Sequence, residues 1–414
     1  MLRPRPEPPL PAPAQPYPSR DATFAAFGAP VSPGKVRVFE KYGFDVVMGE
    51  RAGASFTDAF SGRRLYNCHC NGGVFNLGHR HPAVLAALQD ALDTLDVGNH
   101  HLVSGLRARL AERLVNTTQG RLPGVVFAVA GGEAIDLAIK VARAATRRRQ
   151  VISASGGYHG HTGLALAAGD AKYREPFLSS SSDFVQVPFN DLPALERAIT
   201  KDTAAVILES IPATLGMPLP APGYLLAVGA LCRAKGAKLL LDEVQTGLGR
   251  CGSFWAHEAD GAEPDAIITG KGLSGGLYPI AATLMTRELH AVFDDDPFVH
   301  ISTFGGAELG CAAALATLDV IEAPGFLERV CALGERFARG LAGAPLELLR
   351  RGMFMGFKFP VEDAGLMASK LLIDAGVFAV WANNDSSVVQ FLPPLVCSDA
   401  EADEIVGLVR GVFG

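Results

Sequence analysis

Several features that would place the chain in a special class of protein are missing. No apolar run reaches the length of about 18 residues that a membrane-spanning helix needs. Basic residues do not prevail, because 37 Lys and Arg stand against 43 Asp and Glu, for a formal net charge of -6. A chain with that balance lacks the basic footprint of nucleic-acid-binding proteins. The start of the chain also lacks the basic-then-apolar layout of a signal peptide. We therefore expect a cytoplasmic protein with neither a membrane nor a nucleic acid as partner.

Cysteines are few and irregularly spaced, so the sequence does not predict a disulfide framework. Their number, seven, is odd, which favours reduced thiols. The segment Cys68-His69-Cys70 has metal-ligand residue types, but no second cluster follows at zinc spacing. His159 and His161 are a further pair without a third ligand nearby in the sequence. We therefore predict no metal site.

The composition indicates a large folded protein. Of the 414 residues, 49% are hydrophobic and 19% are charged, which excludes bulk disorder and predicts two or three domains. Eight prolines in the first 20 residues predict that this stretch is a loose arm, and the domain division assigns a Pro-rich N-terminal arm to 1–35. Changes in sequence pattern then predict the N-terminal part of a small domain at 36–75, a large domain at 76–304 and the C-terminal part of the small domain at 305–414.

From about residue 125, short apolar runs alternate with amphipathic helical patterns. The runs are 125–130, 150–154, 204–209, 238–244, 266–270 and 280–286, and the helical patterns are 133–147, 192–200 and 223–235. This alternation predicts an α/β fold with a mainly parallel central sheet and helices on both faces. Beyond about residue 305, two long helical patterns and several short strand-like runs predict a smaller α+β domain, with which the strand-like segment 36–70 is expected to pack.

In parallel sheets, ligands bind beyond the carboxyl ends of the strands, so the residues that follow each run are candidates for a site. Gly131 and Gly132 follow the first run and open a helix, where bare backbone N–H groups and the helix dipole favour an anion. Tyr158 follows the second run and is able to stack on a planar ring. Each signal is weak alone, because glycines often precede helices for turn reasons and aromatic residues usually pack in cores.

Two charged residues end later strands. Asp242 lies at the mouth of an apolar strand, where an unpaired carboxylate is costly. Lys271 lies between two glycines at the mouth of the next strand, where burial lowers the pKa of an amine that must react covalently. A phosphate cradle, an aromatic plate, an acid and an amine together predict a site for pyridoxal 5'-phosphate. The rival motif G-x-S-x-G at 272–276 precedes a strand rather than a helix, so a hydrolase is disfavoured.

With these motifs, the chain resembles the class III (subgroup II) aminotransferases, which are pyridoxal-phosphate enzymes of fold type I. The most specific stretch is LDEVQTGLGR at 241–250, and Lys271 follows Asp242 by 29 positions. The resemblance extends over about residues 40 to 410. It implies a homodimer with shared active sites that moves an amino group between a specialised amino acid or amine and a keto acid or aldehyde.

The resemblance also implies roles for individual residues. Lys271 would form an aldimine with the cofactor and then move the substrate proton, and Asp242 would pair with the pyridine nitrogen. The other implied cofactor contacts are Gly131 and Gly132 at the phosphate, Tyr158 and Val244 on the two ring faces, Gln245 at the ring hydroxyl, Glu209 beneath the cofactor, and Thr303 at the phosphate of the neighbouring subunit.

Substrate recognition departs from the family pattern. Many ornithine-type and 4-aminobutyrate-type members carry a glutamate and an arginine that form a switchable ion pair; this chain has Thr214 and Gln390 instead. Losing both together avoids leaving one charge buried and unpaired. Arg351 is an alternative ligand for a substrate carboxylate, or else a structural arginine. Phe75 would make the entrance less polar, unless it belongs to the core.

Some motifs resemble different subgroups of the aminotransferase family. Tyr158-His159-Gly160-His161 resembles glutamate-1-semialdehyde aminomutase, whereas Tyr278-Pro279-Ile280 resembles the ornithine and acetylornithine group. The alternatives to transamination are therefore an aminomutase, an amino-acid racemase or epimerase, and an inactive relative that only binds the cofactor.

Overall fold

The computed structural model describes residues 16–414, so residues 1–15 of the predicted arm lie outside the described part. The described remainder of the 1–35 segment is largely helical. Helix α1 covers Arg20–Gly28 and α2 covers Pro33–Tyr42, and each begins behind a serine whose side chain accepts a backbone N–H of the first turn. The prolines concentrate before Ser19, which leaves the following segment free to form a helix.

Fifteen strands occur in the described residues. They are β1 Met48–Ala52, β2 Ser55–Asp58, β3 Arg64–Asn67, β4 Gly124–Ala128, β5 Gln150–Ala154, β6 Phe184–Val187, β7 Thr203–Glu209, β8 Lys238–Asp242, β9 Ala266–Thr269, β10 Ala281–Met285, β11 Glu347–Arg351, β12 Phe354–Lys358, β13 Val377–Phe378, β14 Val380–Ala382 and β15 Asp385–Phe391.

The helices after α2 cover the large sheet and the C-terminal part of the chain. They are α3 Cys70–Gly73, α4 Pro82–Leu92, α5 Gly105–Thr117, α6 Gly131–Thr146, α7 Gly163–Ala168, α8 Ala171–Arg174, α9 Leu192–Ala198, α10 Tyr224–Lys235, α11 Arg287–His290, α12 Val292–Asp295, α13 Glu308–Ile321, α14 Phe326–Leu341, α15 Ala364–Asp374 and α16 Asp399–Phe413. Over residues 16–414, no single helix is long and apolar enough to cross a membrane; α13 and α14 reach that length and composition only as a pair bent by 70°.

The central sheet has seven strands in the order β4-β10-β9-β8-β7-β5-β6. Strands β5 to β9 run parallel, as predicted, while β10 pairs antiparallel with both β4 and β9. Every residue of β7 is buried, because α6 packs on one face of the sheet and α10 on the other. The apolar runs predicted the positions of these strands, but the short β6 was missed, since only two of its four residues are buried.

The sheet register brings the candidate residues to one edge. Glu209 ends β7 directly beside Asp242, which ends β8, and Asp242 in turn lies opposite Ile268 of β9. Lys271 follows β9 by two residues. Because parallel strands end at the same edge, the acid, its carboxylate neighbour and the amine converge there.

Two four-stranded sheets lie outside the central sheet, in the orders β1-β2-β3-β13 and β11-β12-β15-β14. The parallel pairing of β13 with β3 joins the N-terminal strands to the C-terminal part of the chain. Helix α14 buries Val330, Leu333, Phe337 and Leu341, whose spacing of three or four residues forms one apolar stripe. The domain boundaries at 75 and 304 remain predictions.

Candidate active site

A cavity of about 400 Å³ opens at the carboxyl ends of the central strands. Its walls include eight of the nine predicted cofactor ligands: Gly131, Gly132, Tyr158, Glu209, Asp242, Val244, Gln245 and Lys271. A second cavity of about 330 Å³ also reaches Lys271, and its walls are largely apolar, with Val74, Leu277 and Ile280 among them. Lys271 therefore lines both cavities, and among the described lining residues only the first cavity contains carboxylates, those of Asp242 and Glu209.

Lys271 begins a short 3-10 turn, in a backbone conformation with φ 44. That left-handed conformation is strained for a residue with a side chain, and such strain concentrates at functional sites. Its Nζ donates a hydrogen bond of 2.9 Å to Oε1 of Gln245. Burial lowers the pKa of Lys271, against the opposing effect of the Asp242 and Glu209 carboxylates. The backbone of Gly72 lies close to the amine, because a Cβ on that residue would be 3.3 Å from Nζ of Lys271.

Asp242 has a buried partner that the sequence did not predict. Nδ1 of His159 donates to Oδ2 of Asp242 over 2.9 Å, and the backbone N–H of Val244 donates to Oδ1 over 3.1 Å. Burial acts to lower the pKa of His159, but the hydrogen bond and charge of Asp242, together with Glu209, raise it overall. The two hydrogen bonds therefore fix the orientation of the Asp242 carboxylate in the cavity wall. Over residues 16–414, no group of three or more His, Cys, Asp or Glu could hold a metal ion.

Glu209 is held by backbone donors. Its carboxylate accepts the N–H of Tyr158 over 2.9 Å and the N–H of Ala213 over 3.2 Å. Burial and the neighbouring Asp242 carboxylate raise the pKa of Glu209 to about 7, although His159 and the two backbone donors act in the opposite direction. At neutral pH this group is therefore poised between its protonated and ionised forms.

Glu243, the residue after Asp242, is fully buried in a hydrogen-bonded network behind the cavity. Its carboxylate accepts from Ser210 Oγ over 2.6 Å, from Thr246 Oγ1 over 2.7 Å and from His257 Nδ1 over 3.0 Å. Burial alone would raise the pKa of Glu243, but these donors and the nearby His257 lower it. The network anchors the turn that carries Val244 and Gln245.

The pKa of Glu209 is raised in the folded protein and that of Glu243 is lowered. The two carboxyl groups are therefore expected to change the stability of the fold with pH in opposite directions. The folded-state pKa of Glu209 lies above its usual 4.5, so the folded protein binds more protons and its stability falls between pH 4.5 and 7, by about 3 kcal/mol. We expect Glu209→Gln to remove this decline, so that the variant gains on wild type as the pH rises. Urea unfolding of the cofactor-free proteins at several pH values measures the difference.

Glu243→Gln is the matched control for this experiment. Because the pKa of Glu243 is lowered on folding, its contribution is present above about pH 4.5 and is lost as the pH falls. The variant should be less stable than wild type at pH 7, and the difference should shrink towards pH 4. Stability differences that do not change with pH in either variant would contradict both assignments.

Gly131 and Gly132 begin α6, a helix of 16 residues whose N-cap Ala130 supplies no side-chain acceptor. The first-turn N–H groups therefore point into the cavity as donors for an anion. A Cβ on Gly131 would lie 3.1 Å from Val244, and one on Gly132 would lie 2.9 Å from Thr162 Oγ1. The cradle is thus shaped by missing side chains, and the Thr162 hydroxyl lies beside it.

The predicted substrate residues fall into two groups. Gln390 reaches the site, because its Oε1 accepts from Nε2 of Gln245 over 3.0 Å. Thr214 lies behind the cavity wall, where its backbone carbonyl accepts the N–H of Asn384 over 2.8 Å. Phe75 packs on the ring of His79, with the ring centroids 4.2 Å apart, and does not line the cavity that contains Asp242.

Arg351 and Thr303 also lie outside the cavity of this chain. Arg351 forms an ion pair with Asp260, with Nη1 2.5 Å from Oδ2. Its charge is therefore already paired with a carboxylate of the protein. The interpretation of Arg351 as a structural arginine is therefore the one that the geometry favours. Thr303 is exposed in the loop before α13 and does not line the cavity.

These features fit pyridoxal 5'-phosphate: an anion cradle at a helix N-terminus, Tyr158 and Val244 in the cavity wall, a carboxylate oriented by a histidine, and an amine of lowered pKa. Fold and site together define a pyridoxal-phosphate-dependent transferase of fold type I.

The family model for class III aminotransferases matches residues 40–412, and the chain belongs to this family. It is 50% identical over 394 residues to an uncharacterized aminotransferase of Archaeoglobus fulgidus, covering 94% of this chain and 93% of that protein. The protein is accordingly a class III aminotransferase, and its relatives favour transamination over aminomutation, racemisation or cofactor binding alone.

Solved structures give the same result. The ornithine aminotransferase of Toxoplasma gondii superposes with a TM-score of 0.87 at 26% identity, covering 96% of this chain and 95% of that one. The acetylornithine aminotransferase of Elizabethkingia anophelis superposes with a TM-score of 0.77 at 24% identity, covering 92% and 98%, and supports the fold alone.

Proposed function

We propose that this aminotransferase binds its cofactor through Lys271 and acts on a specialised amine or amino acid whose far end carries no carboxylate. The observation that carries the proposal is the position of Lys271, which lines both the cavity that contains Asp242 and the largely apolar cavity beside it. When bound, pyridoxal 5'-phosphate supplies an electron sink for the electron pair left by loss of the substrate proton.

Binding of the cofactor and movement of the proton are assigned to individual residues of the chain. Lys271 Nζ, whose lowered pKa increases the fraction of free amine, would hold the cofactor and move the substrate proton. Asp242, oriented by His159, would bind the ring nitrogen and favour a proton there. The N–H groups at the start of α6 would bind the phosphate, while Tyr158 and Val244 would exclude water from the ring.

The substrate class follows from which charges reach the cavity. No arginine is among the described residues that line either cavity. The positions of the family ion pair hold the neutral Thr214 and Gln390, and Arg351 is paired with Asp260. A second carboxylate would thus be desolvated without a guanidinium partner, which is unfavourable. The apolar cavity supports a substrate with an apolar group next to its amine.

We expect 2-oxoglutarate to be a poor amino acceptor compared with monocarboxylic keto acids and aldehydes. Gln390→Arg should raise kcat/KM for 2-oxoglutarate by about 10-fold or more, because a charged hydrogen bond to a carboxylate is worth about 1.5–3 kcal/mol. Arg351→Ala serves as the control and should change acceptor preference little. Efficient use of 2-oxoglutarate by wild type, unaffected by Arg351→Ala, would place the carboxylate ligand elsewhere.

We also propose that two copies form a homodimer, with Thr303 of each reaching the phosphate of the other. Support comes from Thr303 lying exposed in a segment with unusually exposed apolar residues: Phe298, Val299, Ile301 and Phe304. Large exposed apolar patches mark interaction surfaces. Residues Leu102 and Val103 are also exposed.

A dimer should be observed by light scattering at micromolar concentration. Thr303→Ala should release cofactor faster on dialysis without dissociating the dimer, since it removes one hydroxyl donor. Ser386→Ala, a change of similar size on β15, should retain the cofactor as wild type does. A stable monomer that still binds the cofactor tightly would overturn the proposal.

A further inference from the structure

Two successive side-chain hydrogen bonds connect Lys271 to one of the outer sheets. Nζ of Lys271 donates to Oε1 of Gln245 over 2.9 Å, and Nε2 of Gln245 donates to Oε1 of Gln390 over 3.0 Å. Both ends of the Gln245 amide are therefore engaged, one by the reactive amine and the other by a residue 145 positions later in the chain.

Gln390 is the rigid end of this connection. It lies on β15, the strand between β12 and β14, where it pairs with Gly356 on one side and Val380 on the other. Gln390 as a residue is only 5% exposed. Gln245, by contrast, is on the turn after β8 and is only partly buried. Gln390, on the sheet, is thus the fixed partner in this hydrogen bond, and Gln245, on the turn, is the residue that it positions.

The observed geometry and the protonated form of Lys271 set the orientation of the Gln245 amide. The Lys271 ammonium has donors and no acceptor, so the amide oxygen faces its Nζ and the NH2 group points away. The NH2 group then needs an acceptor, and the Gln390 amide oxygen supplies it. Without an acceptor at position 390, the amide is free to turn by 180° and to present its nitrogen to Lys271.

We propose that Gln390 is a positioning residue, which fixes the Gln245 amide so that its oxygen faces the Lys271 amine. The inference rests on the proposed role of Lys271 as the residue that binds the cofactor. If Gln390 has this role, Gln390→Arg has two separate effects. The arginine is a new partner for a substrate carboxylate. Because arginine offers donors only, the substitution also removes the acceptor that holds the Gln245 amide.

The consequence is measurable at Lys271, because an acceptor at hydrogen-bond distance favours the protonated amine and a donor favours the free amine. The other titratable groups around Nζ are Asp242 on β8, Glu209 on β7 and His69 before α3. Burial and the charge of Lys271 lower the pKa of His69 to about 4, so this ring is neutral at working pH. None of these groups is altered by substitutions at 390.

The experiment measures how fast the cofactor-free protein captures pyridoxal 5'-phosphate, followed by visible absorbance from pH 6 to 10. Gln390→Met, which keeps the length and removes the acceptor, should lower the midpoint of this pH profile by about 0.5–1 unit. Gln390→Glu retains an acceptor oxygen and should leave the midpoint at or above that of wild type. The predicted order is Met below wild type, and Glu at or above it.

Gln186→Met is the matched control, because the Gln186 amide on β6 donates to the backbone carbonyls of Ala168 and Gly169. It reports the general cost of replacing a partly buried glutamine and should not shift the midpoint. If Gln390→Met does not fold, as judged by circular dichroism, Gln390→Asn replaces it, since the shorter amide cannot reach Gln245.

Equal midpoints for wild type and the folded variant without an acceptor would overturn the inference. Failure of the proposed function is recognised separately: a pyridoxal label mapped to a lysine other than Lys271 in the wild-type protein contradicts the role of Lys271 itself, whatever the variants at 390 do.

Discussion

Lys271→Ala should lower kcat by more than about four powers of ten while the protein stays folded. The amine binds the cofactor covalently and moves the proton, and these two contributions are lost together. Alanine leaves Gln245 without its donor but adds no buried charge, so the fold should survive. Half-reaction kinetics with an amino donor, together with the cofactor content of the purified variant, measure the effect.

Lys238→Ala is the control for the loss of a lysine. Lys238 begins β8 at the opposite end of the strand from Asp242, where it pairs with Glu288 at 2.6 Å. Its removal should change kcat by less than about threefold, since exposed ion pairs contribute at most about 1 kcal/mol to stability and this one is remote from the cavity. Turnover like that of wild type in Lys271→Ala would remove the basis of the whole account.

Asp242→Asn should lower kcat by about three powers of ten or more. The neutral amide is isosteric but cannot hold the proton on the ring nitrogen, so the electron sink is lost. The substitution also removes the carboxylate that raises the pKa of His159, so that this pKa should fall. The absorbance spectrum of the bound cofactor should shift in this variant, in addition to the change in rate.

The control for Asp242→Asn is the same substitution at Asp265, whose carboxylate accepts the backbone N–H of Leu239 at the far end of the sheet. Asp265→Asn should affect stability more than turnover. A rate within tenfold of wild type for Asp242→Asn would mean that this carboxylate has a structural role only.

Local sequence pattern was sufficient to predict the strand ends and therefore much of the cavity. Apolar runs end at Asp242 and just before Lys271, and parallel strands bring such ends to one edge, so these residues were found without any knowledge of strand order. The prolines predicted a loose arm over residues 1–20, and helix α1 begins at the end of that stretch, at Arg20, because Ser19 provides a helix start.

Contacts between distant residues could not be predicted in the same way. His159 and Asp242 are 83 positions apart in the chain. His159 follows β5 and Asp242 ends β8, and the strand order places only β7 between these two strands. Local periodicity does not determine that order. The contact of Gln390 with Gln245 and the ion pair of Arg351 with Asp260 likewise depend on how the outer sheet packs on the central one. Sequence pattern names the residue types, and tertiary packing decides their partners.

The most direct test of the account is the identity of the lysine that carries the cofactor. The wild-type protein, loaded with pyridoxal 5'-phosphate, is reduced with borohydride, digested and analysed by mass spectrometry. The account predicts a pyridoxyl group on the peptide that contains Lys271 and on no other lysine, and no labelled peptide from Lys271→Ala. A label on a different lysine, or none on the wild-type protein, would contradict it.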